Sequence, residues 1–322
     1  FYGLDAALCW HPGTTNEVST GTNHTTIQVE YRFHGVAAHA AGNPHQGRSA
    51  LDAVTLMNTG VQFLREHLPR TDCLHYAVTD TGGISPNVVQ ATAAVLYMMR
   101  SDTVPHTRTL VARVDDIARG AALMTGTTFT RRFIDGTADL LPNAVLEQAL
   151  YRNLCDAPAP VYTADEQAFA AALNATCPPS EQLPGLAAKV DPALREQIRQ
   201  ASGNGTAALN AFVMPYVHSD LQQPGSTDVG DVSWQTPTAQ ITTVTWPSLT
   251  PGHSWQVVSA GKSGIAHKGM LYAAQVLAAT AVDLLTQPQL LADARAEYAA
   301  ASAAGYVCPI EPDAVPVPVS QL

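Results

Sequence analysis

The residues able to do chemistry in this 322-residue chain are chiefly histidines set in short loops of small residues. One stretch, Phe33 to Val54, reads Phe-His-Gly-Val-Ala-Ala-His-Ala-Ala-Gly-Asn-Pro-His-Gln-Gly-Arg-Ser-Ala-Leu-Asp-Ala-Val. A strand-like run ends at Phe33, Pro44 and Gly47 turn the chain, and a helix opens near Ser49. Small residues let the backbone bend tightly and leave the imidazole of His39 presented from the loop. Two readings stand: His39 reaches something outside its own domain, or it only hydrogen-bonds its neighbours across a tight connection.

Two further histidines sit at strand ends. His11 follows the apolar run Leu4 to Cys9 and precedes Pro12-Gly13. That is the C-terminal end of an expected buried strand, where open α/β sheets collect ligands. A neutral imidazole there can ligate zinc or simply make a hydrogen bond. His253 echoes it, standing beyond a β-rich run, 238–246, in Pro251-Gly252-His253-Ser254. Asn87 closes the turn-rich Thr81-Gly82-Gly83-Ile84-Ser85-Pro86-Asn87, and Arg100 ends the next strand. An amide that donates and accepts and a planar fork suited to a carboxylate are binding groups. The plain alternative is a turn asparagine and a solvated arginine. His218-Ser219-Asp220 has a ligand-like His-x-Asp form without a strand ahead of it and reads as a decoy, and His267 reads as structural or as a support behind the site residues. There is no P-loop, GxSxG elbow or GxGxxG turn.

The elements that must hold these residues follow from periodicity. Alternation at Ile27, Val29, Tyr31 and Phe33 predicts a strand, and Leu51, Val54, Met57, Val61 and Leu64 predict a helix over 49–68 that stops before Pro69. Strands at 73–80 and 92–100, a helix at 105–123 and a strand at 127–134 complete a β-α-β-β-α-β order, the split arrangement of ferredoxin-like domains. Its two helices would cover one sheet face and leave an edge strand able to pair with another copy. Residues 1–21 and 137–322 fall outside it. Helices are expected at 143–155, 164–175, 191–201, 262–286 and 289–304, with an Ala- and Pro-rich region from 156 to 204 that carries no evident chemistry and a Pro- and Val-rich tail.

A formal charge of -10 with 46% hydrophobic residues describes a globular chain and argues against nucleic-acid binding, because no basic stripe neutralises phosphates. Anionic membrane surfaces are disfavoured for the same reason. No apolar run is expected to reach the roughly 18 to 20 residues that span a bilayer. Five scattered cysteines form neither a CxxC pair nor a disulfide framework. The expected setting is cytoplasmic. The chain opens at Phe1 and enters a strand almost at once, which reads as the interior of a longer protein.

Taken together, Leu4 to Pro12, Gly35 to Ala53, Gly82 to Val89, Arg100, Leu141 to Asn143, Gly225 to Trp234 and Thr250 to Gln256 resemble the zinc amidohydrolases related to aminoacylase, hippurate hydrolase and carboxypeptidase G. The wording of Trp10-His11-Pro12, Ala38-His39-Ala40, Gly225-Ser226-Thr227-Asp228-Val229-Gly230-Asp231 and Pro251-Gly252-His253-Ser254 is most similar to the aminobenzoyl-glutamate-utilising subgroup. The resemblance is weakest over 156–204. It implies an α/β fold, with residues 1–21 and 137–322 as parts of a zinc-peptidase-like catalytic domain and 22–136 as an inserted ferredoxin-like dimerisation or lid domain. It implies a site of two divalent ions, zinc with manganese or cobalt as possible substitutes, ligated by His11 and His253. It casts His39 as a lid histidine that stabilises the oxyanion in the neighbouring copy of a homodimer. Asn87 and Arg100 would hold the substrate carboxylate. The substrate would be an amide of an acyl or aryl-acyl group with an amino acid.

The chain departs from that pattern in one respect. Neither the expected ligand motif nor the acidic pair that supplies the general base occurs ahead of His11, and no Glu-Glu occurs anywhere in the sequence. The expectation is therefore an incomplete, C-terminal portion of a hydrolase. The rival readings are a non-catalytic dimerising or ligand-binding module, and an aminoacylase-type enzyme with another acyl group.

Overall fold

The computed structural model describes residues 3–178, 183 and 191–315. Phe1 and Tyr2, the middle of the Ala- and Pro-rich region and the tail beyond Val315 lie outside the described residues. In chain order the first elements are β1 (Ala7–Gly13), β2 (Glu17–Ser19), β3 (Thr22–Asn23), β4 (Thr25–His34), α1 (Ala50–Arg65), β5 (Cys73–Asp80), β6 (Thr92–Ser101), α2 (Val104–Thr125) and β7 (Thr128–Thr137). Then come α3 (Ala144–Asp156), α4 (Ala164–Asn174), α5 (Pro192–Ala201), β8 (Gln222–Gln223), α6 (Val229–Ser233), β9 (Thr238–Val244), α7 (Trp255–Ala260), α8 (Gly264–Thr286) and α9 (Pro288–Ala301). The chain is α/β and divides into two compact units. One comprises Phe1–Thr22, Leu140–Gln223 and Val232–Tyr306, the other Asn23–Asp139, Pro224–Asp231 and Val307–Leu322.

The second unit is ferredoxin-like. Its four strands are ordered β5-β6-β4-β7 and every neighbouring pair is antiparallel. The inward residues of β4 (Ile27, Val29, Tyr31, Phe33) meet Val54, Met57 and Val61 of α1 and Leu110, Val114 and Ala118 of α2 in one core. Both helices begin where capping chemistry permits: Ser49 accepts from the Asp52 amide, and Thr103 accepts from the His106 amide ahead of Pro105. α2 ends at Gly126, whose φ of 65° suits a residue without a side chain. The buried Tyr31 hydroxyl donates to Asp115, and Arg131 joins Asp115 to Glu311. The described part of the C-terminal segment is thereby tied into this unit.

In the first unit β1 and β9 run parallel and β2 pairs antiparallel with the far side of β9. Leu146, Leu150 and Leu154 of α3, Tyr272, Ala273 and Val276 of α8 and Ala294 of α9 close a core on Ile241 and Val18. The buried start of α3 is satisfied on all sides. Asn143 caps the Leu146 amide and donates to the Ala294 carbonyl, while the Glu297 carboxylate accepts from the Ala144 and Val145 amides.

Three expectations need correction here. β1 is not a buried strand: Ala7 to Trp10 are half-exposed, because β1 is an edge strand with β9 on one side only among the described residues. It also continues through Gly13 instead of turning after His11, since Gly13 has no side chain to strike Thr242, which a Cβ would approach to 2.1 Å. And α8, over Gly264–Thr286, is long and apolar enough to cross a membrane by length and composition. Its buried residues pack on the α/β core, as a covering helix does.

Candidate functional site

In the ferredoxin-like unit, His39 lies in the connection between β4 and α1, and the backbone dictates its chemistry. The loop is pinned at its base where Val36 and Arg48 exchange hydrogen bonds, and Gly35 permits this because a Cβ there would lie 1.9 Å from the Arg48 carbonyl oxygen. At its tip the His39 Nδ1 faces two backbone amides, of Ala41 at 3.2 Å and Gly42 at 3.0 Å. An amide can only donate, so Nδ1 is the acceptor and the ring proton sits on Nε2. The exposed imidazole thus presents an N–H donor outward.

Asn87 comes from the connection between β5 and β6, which zips onto the His39 loop. The Ala40 amide donates to the Asn87 carbonyl at 2.9 Å, Val89 donates to Ala38 at 3.0 Å, and His39 and Val88 form an antiparallel bridge. The loops that carry His39 and Asn87 are therefore paired through their backbones, with Val88 opposite His39 and Asn87 opposite Ala40, and both His39 and Asn87 are exposed. Arg100 is not brought to them. It lies eight residues along β6 from Thr92, at the end paired with Thr26 and Cys73, about 27 Å away at strand rise. Its guanidinium lies against the Met98 sulfur, with Nη2 at 3.0 Å.

In the α/β unit the parallel pairing places the C-terminal ends of β1 and β9 at one edge of the sheet. His11 lies near that end of β1, and His253 in the connection that follows β9. His11 Nδ1 is 2.7 Å from the Pro12 carbonyl oxygen, which can only accept. The proton is therefore on Nδ1 and the Nε2 lone pair is available, the form in which a histidine ligates metal. The exposed His253 has φ of 57°, a left-handed conformation uncommon outside glycine, just ahead of the Ser254 cap of α7. Among the described residues no three His, Cys, Asp or Glu side chains converge where a metal could sit. A pair of divalent ions needs anionic and bridging ligands as well as imidazoles. His11 and His253 alone do not fit the two-ion site implied by the resemblance.

One polar cluster escaped the sequence reading. Glu147 on α3 is 2% exposed, and its Oε2 accepts from the Tyr216 hydroxyl and from His218 Nδ1, both at 2.9 Å. Burial pushes the Glu147 carboxyl above its ordinary value, and the hydrogen bond to Glu147 pushes His218 above its own. His218 thus acts as a clamp for a buried carboxylate, which explains the His-x-Asp form without a ligand role. Its partner lies 71 residues away in sequence, so no local signal could have found it.

No protein-family model matches the chain. It is 42% identical over 320 residues, 99% of its length, to a p-aminobenzoyl-glutamate hydrolase chain of Escherichia coli (strain K12), and spans 66% of that relative, just under two thirds. It is 29% identical over 157 residues to the Xaa-Arg dipeptidase of Mus musculus, covering 48% of this chain and 35% of that one. Among solved structures, one from methicillin resistant Staphylococcus aureus, described as an aminohydrolase, superposes with a TM-score of 0.53 at 16% identity, over 88% of this chain and 60% of that one. That last likeness speaks for the fold alone.

Proposed function

Since the chain belongs to the amidohydrolase family that includes the Escherichia coli p-aminobenzoyl-glutamate hydrolase chain, we propose that it supplies the lid and part of the cleft of an enzyme hydrolysing an amide between an acyl or aryl-acyl group and an amino acid. The observation that carries this is the 42% identity maintained over 99% of the chain. The substrate class is that of aminobenzoyl-glutamate.

In this reading the outward Nε2–H of His39 donates to the carbonyl oxygen as it gains negative charge. Such a donor is worth about 10²–10³ in turnover. Its tautomer is set in advance by the Ala41 and Gly42 amides, so no proton has to be relocated before the donor acts. Asn87, on the loop paired with that of His39, can accept from or donate to the substrate, and the planar fork of Arg100 suits the carboxylate of the amino-acid half. Arg100 lies about 27 Å along β6 from Thr92, the strand end that the Asn87 loop enters. That separation supports a homodimer in which the two residues come from different copies. β5, an edge strand among the described residues with Tyr76 and Val78 exposed, supports it further.

His11, with its lone pair outward, and His253 are the metal-ligating candidates. Two divalent ions, zinc or its manganese or cobalt substitutes, would supply Lewis-acid chemistry at such a site. They require ligands and a general base beyond these two side chains. The setting is cytoplasmic, in keeping with cysteines that form no disulfide among the described residues. A second reading, a non-catalytic lid and half-cleft module, is favoured by the lack of a three-ligand cluster among the described residues.

The test is metal analysis with an assay of p-aminobenzoyl-glutamate hydrolysis, on this chain alone and on this chain joined to the third of the Escherichia coli relative that it does not match. Metal-dependent hydrolysis by the joined protein is the expected result. A joined protein that binds metal and cleaves no acyl amino acid would overturn the enzyme reading in favour of the module.

A further inference from the structure

The sheet of the ferredoxin-like unit turns alternate residues of each strand away from its helices. On β4 these are Thr26, Gln28, Glu30 and Arg32, because Ile27, Val29, Tyr31 and Phe33 enter the core. The register sets Leu96, Met98 and Arg100 of β6 and Arg132 of β7 on that same outer face. Arg32 is ion-paired there with Glu30 and Asp80, and Arg132 with Glu30. Arg100 differs. Its cross-strand neighbours are Thr26 and Cys73, and among the described residues no carboxylate comes within ion-pair distance of it. The acceptor it meets instead is the Met98 sulfur, 3.3 Å from Nε and 3.0 Å from Nη2.

Strand geometry brings the two together, since residues 98 and 100 point the same way and the unbranched methionine stem can bend towards the guanidinium. The kind of partner matters. A carboxylate would cancel the charge, whereas a thioether is a neutral, weak acceptor and leaves it whole. That charge is felt nearby: His75, opposite Met98 on β5, is held below the ordinary imidazole value by lost hydration first, then by the guanidinium groups of Arg100 and Arg65. The two contacts also fix which part of the guanidinium is used. It has a side edge, Nε with Nη2, and an end edge, Nη1 with Nη2, each offering paired N–H bonds that match a carboxylate. Met98 occupies the side edge.

We propose that Met98 is a positioning residue: its sulfur holds Arg100 by the Nε/Nη2 edge and presents the Nη1/Nη2 edge, still fully charged, to a carboxylate of the bound ligand. A guanidinium held in advance loses less side-chain freedom when the anion arrives. That the ligand is an acyl amino acid rests on the function proposed above, but the contact between Met98 and Arg100 does not.

The test uses the full chain and three variants at one position. Met98→Leu keeps the volume and removes the acceptor, Met98→Gln restores a neutral acceptor, and Met98→Glu supplies one that cancels the charge. Met98 is half-buried on the face away from the core, so all three should fold, which a thermal melt checks. Heteronuclear NMR reads the Arg100 Nε–H, assigned by its loss in Arg100→Lys. Its exchange with water should quicken about three- to tenfold in Met98→Leu and return to the original rate in Met98→Gln. The probe is p-aminobenzoyl-glutamate, titrated against the shift of that resonance, with the diamide of the same compound as control. Affinity for the probe should fall about three- to tenfold in Met98→Leu, recover in Met98→Gln and fall further in Met98→Glu.

Equal exchange rates in the original chain and Met98→Leu would overturn the proposal, as would equal affinities. A loss in Met98→Leu that Met98→Gln does not restore would assign the effect to packing and overturn it too. So would a diamide that binds as well as the diacid. None of these readouts uses activity. Binding at Arg100 with no hydrolysis by the joined protein counts only against the hydrolase reading, and hydrolysis with an Arg100 indifferent to position 98 counts only against this one.

Discussion

Replacing His39 by Ala separates a catalytic role from a structural one, because the structure predicts very different effects on the two. Removing the imidazole deletes the outward Nε2–H and leaves the Ala41 and Gly42 amides without their acceptor. His39 is exposed, so water takes over those amides and the stability loss should stay below about 1 kcal/mol. A donor aimed at a developing oxyanion is a different matter, since its loss typically costs about 2.7–4 kcal/mol in the transition state, or 10²–10³ in kcat. The assay is steady-state hydrolysis of p-aminobenzoyl-glutamate by the joined protein carrying His39→Ala, beside a thermal melt. The expected outcome is kcat down by two to three orders of magnitude, KM changed only a few-fold and Tm nearly unmoved. An unchanged kcat at unchanged Tm would refute the donor assignment. A large fall in Tm would show that the ring holds the loop instead.

Three other perturbations follow from the same structure. The folded chain binds protons more tightly than the unfolded one at both Glu147 and His218, raised above 4.5 and 6.5 respectively, so the stability from this pair is complete below pH 4.5 and declines as pH rises, first above 4.5 through the Glu147 step and then above 6.5 through the His218 step. His218→Gln should flatten the upper part of that decline in urea melts between pH 5 and 8, and an unaltered slope would exclude the clamp. Tyr31→Phe removes the donor to Asp115 from a fully buried position and should lower stability by about 1.5–3 kcal/mol, read as a shift in denaturation midpoint. Gly35→Ala drives a methyl group into the Arg48 carbonyl and should cost about 1–3 kcal/mol, with a fall in turnover because the His39 loop is pinned at that point.

The ferredoxin-like unit was legible because its periods are clean. The alternation in β4 and the helical spacing in α1 each answer to one buried face, and Ser49, Thr103 and Gly126 mark helix ends by local chemistry. The α/β unit was less so. β2 and α7 are short elements inside stretches that read as loops, held by β9 and by the Ser254 cap rather than by their own pattern. His11 was placed at a strand end, but the half-exposure of that strand follows from β1 being an edge strand among the described residues, which periodicity does not report. His39 and Asn87 were each singled out locally, and the pairing of their loops comes from β4 and β6, which are neighbours in the sheet but far apart in the sequence. The separation of Arg100 follows equally from the register of β6, which no residue type encodes. The tautomers of His11 and His39 are likewise set by whether a carbonyl or an amide faces Nδ1.

That last contrast makes the two imidazoles separable by carboxamide mimicry. Asparagine puts its polar atoms roughly where Nδ1 stands, and glutamine puts them roughly where Nε2 stands. At position 39 an asparagine would keep the amides of Ala41 and Gly42 engaged while silencing the group that faces outward. A glutamine would free the loop while still offering an N–H to whatever approaches. At position 11 neither substitute restores an aromatic nitrogen lone pair, so the same pair of replacements that splits one histidine into two functions would leave the other with none.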